Sequence, residues 1–262
     1  MCTVYDEEGA TQMFSDRRFR QILPQVFAVA LAALLSLGVV AQAANKQDNS
    51  EKERVLQPVK LAVLIQDNLV SHVSNEIRAT GKFIEALPKG SEVMVGYITA
   101  GSLQVRQPFT PDLAKAAGSL RILISSPSAT PYNPYVEVLE ALRKFDSNSK
   151  TRNVVLLVSD GLDTSRGFDP SSILDSVDLK RAVAEANRRD VSIYSFFAPS
   201  IVLTNRSHLA ATYGQSSLAK VAKETGGEAF FQGTTDFVTF DPFFERFVRA
   251  LNRAEPVNTN VR

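Results

Sequence analysis

The sequence predicts an α/β domain: a doubly wound, largely parallel sheet with helices on both faces. Two apolar runs, Leu61–Ile65 and Val154–Val158, lack polar alternation and suit strands buried on both sides. Between such runs lie segments whose apolar residues recur on a helical period. Proline, glycine or a helix-capping residue punctuates most of the boundaries. Strand and helix alternating at this spacing describe a sheet covered on both faces.

Each element has its own signal. Leu61–Ile65 is the first strand. Residues 70–87 follow as a helix, with Val73, Ile77, Ile84 and Leu87 in step, and Pro88-Lys89-Gly90 stops it. Val93–Thr99 is the second strand. Gly101-Ser102 turns the chain into a third, Leu103–Pro108, and so short a turn pairs the two antiparallel. Three helices open on a capping residue followed by proline: Thr110-Pro111, Asn133-Pro134 and Asp241-Pro242. Behind them run Leu113, Ala117 and Leu120; Tyr135, Val138, Leu139 and Leu142; and Phe243, Phe244, Phe247, Val248 and Leu251. Val154–Val158 ends in the turn signal Ser159-Asp160-Gly161. A helix over about 176–189, a strand Val191–Phe197, a helix over about 214–225 closed by Gly226-Gly227, and a last strand Glu228–Gln232 complete the order.

Composition narrows the function classes. The 262 residues are 44% apolar and 22% charged, which is globular, and the net charge of +1 speaks against a strongly basic nucleic-acid binder. The single cysteine, Cys2, excludes a disulfide framework, and two histidines, His72 and His208, are too few for a His-based zinc site. Arg17, Arg18 and Arg20, the apolar run Val26–Leu35 and then Ala41-Gln42-Ala43 follow the order of a secretory signal. Cleavage after Ala43 is expected, with Met13 as an alternative start. The competing reading is an uncleaved anchor over Ile22–Val40, a poor span because of Pro24, Gln25, Ser36 and Gly38. The expected organisation is a signal peptide at 1–43, a polar leader at 44–58, a domain at 59–254 and a tail at 255–262.

In open α/β sheets ligands bind beyond the carboxyl ends of the strands. That rule selects Gln66–Ser71, the Ser125–Pro134 loop and Asp160-Gly161.

LAVLIQDNLVS, PFTPDL, SATPYNPYVEVL, VVLLVSDGLDT, RRDVSIYSF and LAKVAKETGGEAFF occur in an order and spacing that resemble a von Willebrand factor A (VWA) domain of the bacterial VWFA-related branch. The resemblance covers about 59–254. It implies a Rossmann-like sheet of order 3-2-1-4-5-6 with strand 3 antiparallel. It also implies a protein-binding role, often through one magnesium ion held by a D-x-S-x-S motif after strand one, a loop threonine and an aspartate after strand four. Magnesium seeks six oxygens, which carboxylates, hydroxyls and water supply. This chain departs from that motif, and two registers fit. One gives Asp67-x-Leu69-x-Ser71, with leucine where an oxygen is needed. The other gives Gln66-x-Asn68-x-Val70, without the carboxylate. Thr130 and Asp160 match the remaining positions. The metal set the resemblance retains is therefore Asp67, Ser71, Thr130 and Asp160.

Each member also has a structural reading. Asp67 and Asn68 end a strand, Ser71 caps a helix, Thr130 precedes Pro131, and Asp160-Gly161 is a common turn pair. His72 beside Ser71 is not a nucleophile–base pair, because neighbours on a helix do not face each other. No G-x-S-x-G elbow, Walker A loop or G-x-G-x-x-G occurs. Asp163, Asp169, Asp175 and Asp178 lack EF-hand spacing and read as turn and cap residues. Arg188-Arg189-Asp190 reads as a solvated helix end. The phenylalanines from Phe237 to Phe247 read as core, with Phe240 and Phe243 as alternatives for an interface rim.

The expectation is an exported, periplasmic or extracellular, non-enzymatic module. It would hold a protein partner through the loops at the sheet edge, without a firmly bound metal and without nucleic acid. The alternative is a magnesium-dependent binder, and a hydrolase ranks below both for want of any catalytic constellation.

Overall fold

The computed structural model describes residues 56–146, 151–167, 176–233 and 238–253. The signal, all of the leader before residue 56, and the tail lie outside the described residues, as do Cys2, Asp169, Asp175 and Phe237.

The first strand, β1 (Val59–Gln66), is buried along its whole length. On one side it pairs parallel with β2 (Glu92–Thr99), and on the other with β4 (Arg152–Ser159). β2 turns back antiparallel into β3 (Ser102–Thr110), while β5 (Val191–Phe197) and β6 (Ala229–Phe230) extend the far side in parallel. The strand order is β3-β2-β1-β4-β5-β6, so the sheet has the expected 3-2-1-4-5-6 order with strand 3 antiparallel.

The helices are α1 (Ile77–Glu85), α2 (Leu113–Gly118), α3 (Pro134–Leu142), α4 (Val177–Arg188), α5 (His208–Glu224) and α6 (Asp241–Arg253). They divide between the faces by strand alternation. Leu61, Val63 and Ile65 of β1 join Ile84, Ala116, Phe243, Phe244 and Phe247 on the face of α1, α2 and α6. Ala62 and Leu64 join Tyr135, Val138, Leu179, Leu218 and Val221 on the face of α3, α4 and α5. Each of these larger side chains contributes roughly 1.5–3 kcal/mol by leaving water. Phe240 and Phe243 are both buried and ring Phe196 at 5.4 and 5.2 Å, which makes them core and not rim.

Several boundaries differ from expectation for local reasons. Thr110 does not cap a helix. It ends β3 opposite Val93, and Asp112 caps α2 by accepting the Lys115 N–H at 2.9 Å. The helix expected over 70–87 opens as a 3-10 turn, Ser71–Glu76, with no side-chain cap, so Ser71 does not cap it. Asp241 is the first residue of α6, and the Phe240 carbonyl accepts the Phe244 N–H at 2.8 Å. α5 begins at His208, earlier than the apolar period suggested, because Ser207 caps it through the Ala210 N–H at 3.2 Å. The last strand keeps only Ala229 and Phe230 of its expected span. Among the described residues, no helix is long and apolar enough to cross a membrane.

Candidate functional site

The carboxyl ends of β1 and β4 meet at one edge of the sheet, where four loops converge. Gln66 is the last residue of β1, opposite Ile98 of β2. Its Oε1 accepts the Ser159 hydroxyl at 2.5 Å and the Asp160 N–H at 3.3 Å. A backbone N–H must face an acceptor, so these bonds fix which end of the amide is oxygen. Gln66 Nε2 then donates to Asn68 Oδ1 at 2.7 Å, and Asn68 Nδ2 donates to Thr130 Oγ1 at 3.0 Å. The structure thus brings Gln66, Asn68, Thr130 and Asp160 together.

Asp67 points elsewhere. Its two carboxylate oxygens accept Arg121 Nη1 and Nη2 at 2.8 and 2.7 Å, and Oδ1 also accepts the Ile124 N–H at 2.9 Å. The Arg121 guanidinium lies 4.0 Å over the Tyr97 ring. Ser71 is exposed at the start of its 3-10 turn, and His72 beside it is exposed too.

Asp160 is buried, and the cause that dominates its pKa is that burial, which pushes it up. The Ser200 hydroxyl, the Leu162 N–H and the Gln66 amide lie against the carboxylate and oppose the rise. The turn that carries Asp160 is tightly packed. Tyr135 donates to the Gly161 carbonyl at 3.1 Å. Gly161 has φ +71°, and a Cβ there would run into the Gly214 carbonyl of α5. A Cβ on Gly214 would in turn meet the Asp160 carbonyl.

A strap covers the group. The segment after β5 forms an antiparallel bridge between Ser200 and Leu69, with Val70 N–H to Pro199 O at 2.9 Å and Ile201 N–H to Asn68 O at 3.1 Å. Gln66, Asn68, Leu69 and Ser200 are consequently all buried.

The magnesium that the sequence resemblance implies needs a set of free oxygens. Of the four side chains brought together, Asp160 alone is an acid, and its burial works against the ionised form that an ion would need. Gln66 and Asn68 aim N–H donors at the neighbouring oxygens, and Val70 has none to offer. Among the described residues, no cluster of three or more His, Cys, Asp or Glu side chains that could hold a metal occurs. These residues do not fit the ion.

Beside the covered group the loops expose three large apolar side chains that the sequence reading did not single out, and they are called the apolar ledge below. Ile122, Ile124 and Tyr132 are 74%, 54% and 70% exposed. Ile122 and Ile124 flank the buried Leu123 on an extended segment whose backbone is pinned repeatedly. The Arg121 N–H donates to Tyr97 Oη at 2.8 Å, Leu123 N–H to Ser74 Oγ at 3.3 Å, and Ser125 N–H to Asp67 O at 2.9 Å. The Thr164 N–H holds the Tyr132 carbonyl at 2.7 Å. The sequence signal was the apolar run Ile122-Leu123-Ile124, short enough to pass for loop.

Asp163 and Asp178 are bridged by Asn133 Nδ2 at 3.0 and 2.9 Å; Asp163 makes a turn by accepting the Ser165 N–H at 3.0 Å, whereas Ser176 and not Asp178 caps α4. Arg188 and Arg189 both pair with Glu185 at the end of α4.

No family model and no curated protein matches the chain. Solved structures do. BatB from Bacteroides thetaiotaomicron aligns at TM-score 0.50 and 10% identity, over 74% of this chain and 97% of that one. An aerotolerance-related membrane protein from Bacteroides fragilis aligns at 0.48 and 12%, over 75% and 100%. The SpRpn10 VWA domain aligns at 0.44 and 10%, over 79% and 100%. Strand order and likeness together make this a VWA-like fold.

Proposed function

We propose that the chain is an exported, non-enzymatic interaction module that holds a protein partner at the carboxyl edge of its sheet without a resident metal. The observation that carries this reading is the ledge of Ile122, Ile124 and Tyr132. Large apolar side chains held out of the core by a pinned backbone bind at low entropic cost, because the ledge needs no ordering when a partner arrives. Export is supported by the basic, apolar, Ala-Gln-Ala order before residue 44. The non-enzymatic part rests on chemistry. Asp160 and Asp67 are buried and committed to hydrogen bonds, and the exposed Ser71–His72 pair is adjacent in sequence, not facing.

The test is site-specific crosslinking in the producing cell. A photo-reactive phenylalanine analogue at position 124 is expected to yield a discrete protein adduct. The same analogue at Glu85, on α1, serves as the control and is expected to yield none. Equal labelling from both positions, or from neither, contradicts the proposal.

A further inference from the structure

We infer that the Gln66 side-chain amide stands where a cation would tie this sheet edge together, and that the position among Gln66, Asn68, Thr130 and Asp160 is closed to divalent ions. A cation at such an edge would draw the end of β1, the turn after β4 and the threonine loop around one charge. Here the same three segments are tied by a chain of neutral donors and acceptors. Ser159 and the Asp160 N–H hold Gln66 Oε1, Gln66 Nε2 holds Asn68 Oδ1, and Asn68 Nδ2 holds Thr130 Oγ1.

The polarity of this chain excludes the ion. An amide nitrogen is a donor and not a ligand for a hard cation, and two of them face the oxygens that an ion would need. To enter, an ion would have to break both amide hydrogen bonds and shed its water among buried side chains next to the Leu69–Ser200 bridge. It would gain a single carboxylate in exchange. Gln66 and Asn68 are each at most 1% exposed, so neither amide is presented to a partner. The edge is therefore set in one arrangement, and partner binding there is constitutive instead of gated by divalent cations. Only this last step rests on the proposed function. The closure of the position stands or falls by itself.

The experiment is thermal melting of the full chain in EDTA and in millimolar magnesium or manganese. A ligand that binds only the folded state raises the melting temperature by mass action. Wild type is expected to melt at the same temperature in all three. Gln66→Asp sets a second carboxylate beside Asp160. It is expected to melt several degrees lower in EDTA and to recover when manganese is added. A rise in wild type that Asp160→Ala abolishes would overturn the inference, as would a folded Gln66→Asp chain indifferent to manganese. Should Gln66→Asp not fold, manganese paramagnetic resonance on wild type decides. The free-ion signal should be undiminished by the protein, and a loss of signal that Asp160→Ala restores would overturn the inference. Failure of the crosslinking at position 124 would leave these outcomes unaffected, so the two readings fail separately.

Discussion

Asp67 and Arg121 form a two-pronged ion pair across 54 residues of sequence, at 2.8 and 2.7 Å, with Asp67 wholly buried and the Arg121 side chain 24% exposed. It pins the apolar ledge to the end of β1. Arg121→Ala would leave a buried carboxylate uncompensated, and the expected loss of stability is about 3–5 kcal/mol. Asp67→Ala/Arg121→Ala should lose less than the two single variants summed, because neither charge is then stranded. Urea unfolding of the four proteins measures both. Strict additivity would mean that the pair is not coupled.

Glu137 on α3 is 3% exposed, and its Oε2 has no hydrogen-bond partner. Burial pushes its carboxyl up to about 7, with Glu140 adding to the rise. The native state therefore holds this proton more tightly than the unfolded chain does. Its stabilisation is fully present below the ordinary carboxylate value, is lost as pH rises toward about 7, and is gone above it. Glu137→Gln removes that loss, so at pH 8 the variant should gain about 1–3 kcal/mol over wild type relative to their difference at pH 4. Paired unfolding curves across this range would show parallel pH profiles if the prediction is wrong.

Gly214 and Gly161 allow α5 to approach the Asp160 turn backbone to backbone. Alanine at either should cost about 1–3 kcal/mol through overpacking. Gly161→Ala carries the further strain of its left-handed φ of +71°. Melting temperatures unchanged from wild type would show that the contact relaxes freely.

Ile122→Ser and Ile124→Ser remove exposed apolar surface and touch no core. Each should shift stability by no more than about 0.5 kcal/mol in denaturant unfolding. A larger fall would mean that these side chains support the fold, not an interface.

The sheet was legible because β1, β2, β4 and β5 are apolar on both faces, and the short turn at Gly101 between β2 and the alternating β3 forced the antiparallel hairpin. Helix starts were legible where the cap stood next to its own helix, as at Asn133, which accepts the Tyr135 N–H at 3.0 Å. Thr110 misled because the pairing of β3 with Val93 outweighed its capping preference. At the edge, sequence offered two registers. What separates Gln66 from Asp67 is where β1 stops, and that is set by pairing with Ile98, a partner that local composition does not reveal. The tie from Asp67 to Arg121 and the strap from Asn68 to Ile201 were hidden for the same reason. Both join segments distant in sequence whose residues look like ordinary loop.

The most direct test is capture of a partner from the envelope fraction of the producing cell, by wild type and by Ile122→Ser/Ile124→Ser, each in EDTA and in magnesium. The account predicts a discrete protein retained by wild type equally in both buffers and lost from the double variant in both. Capture that the double variant retains, or that EDTA abolishes, would contradict it.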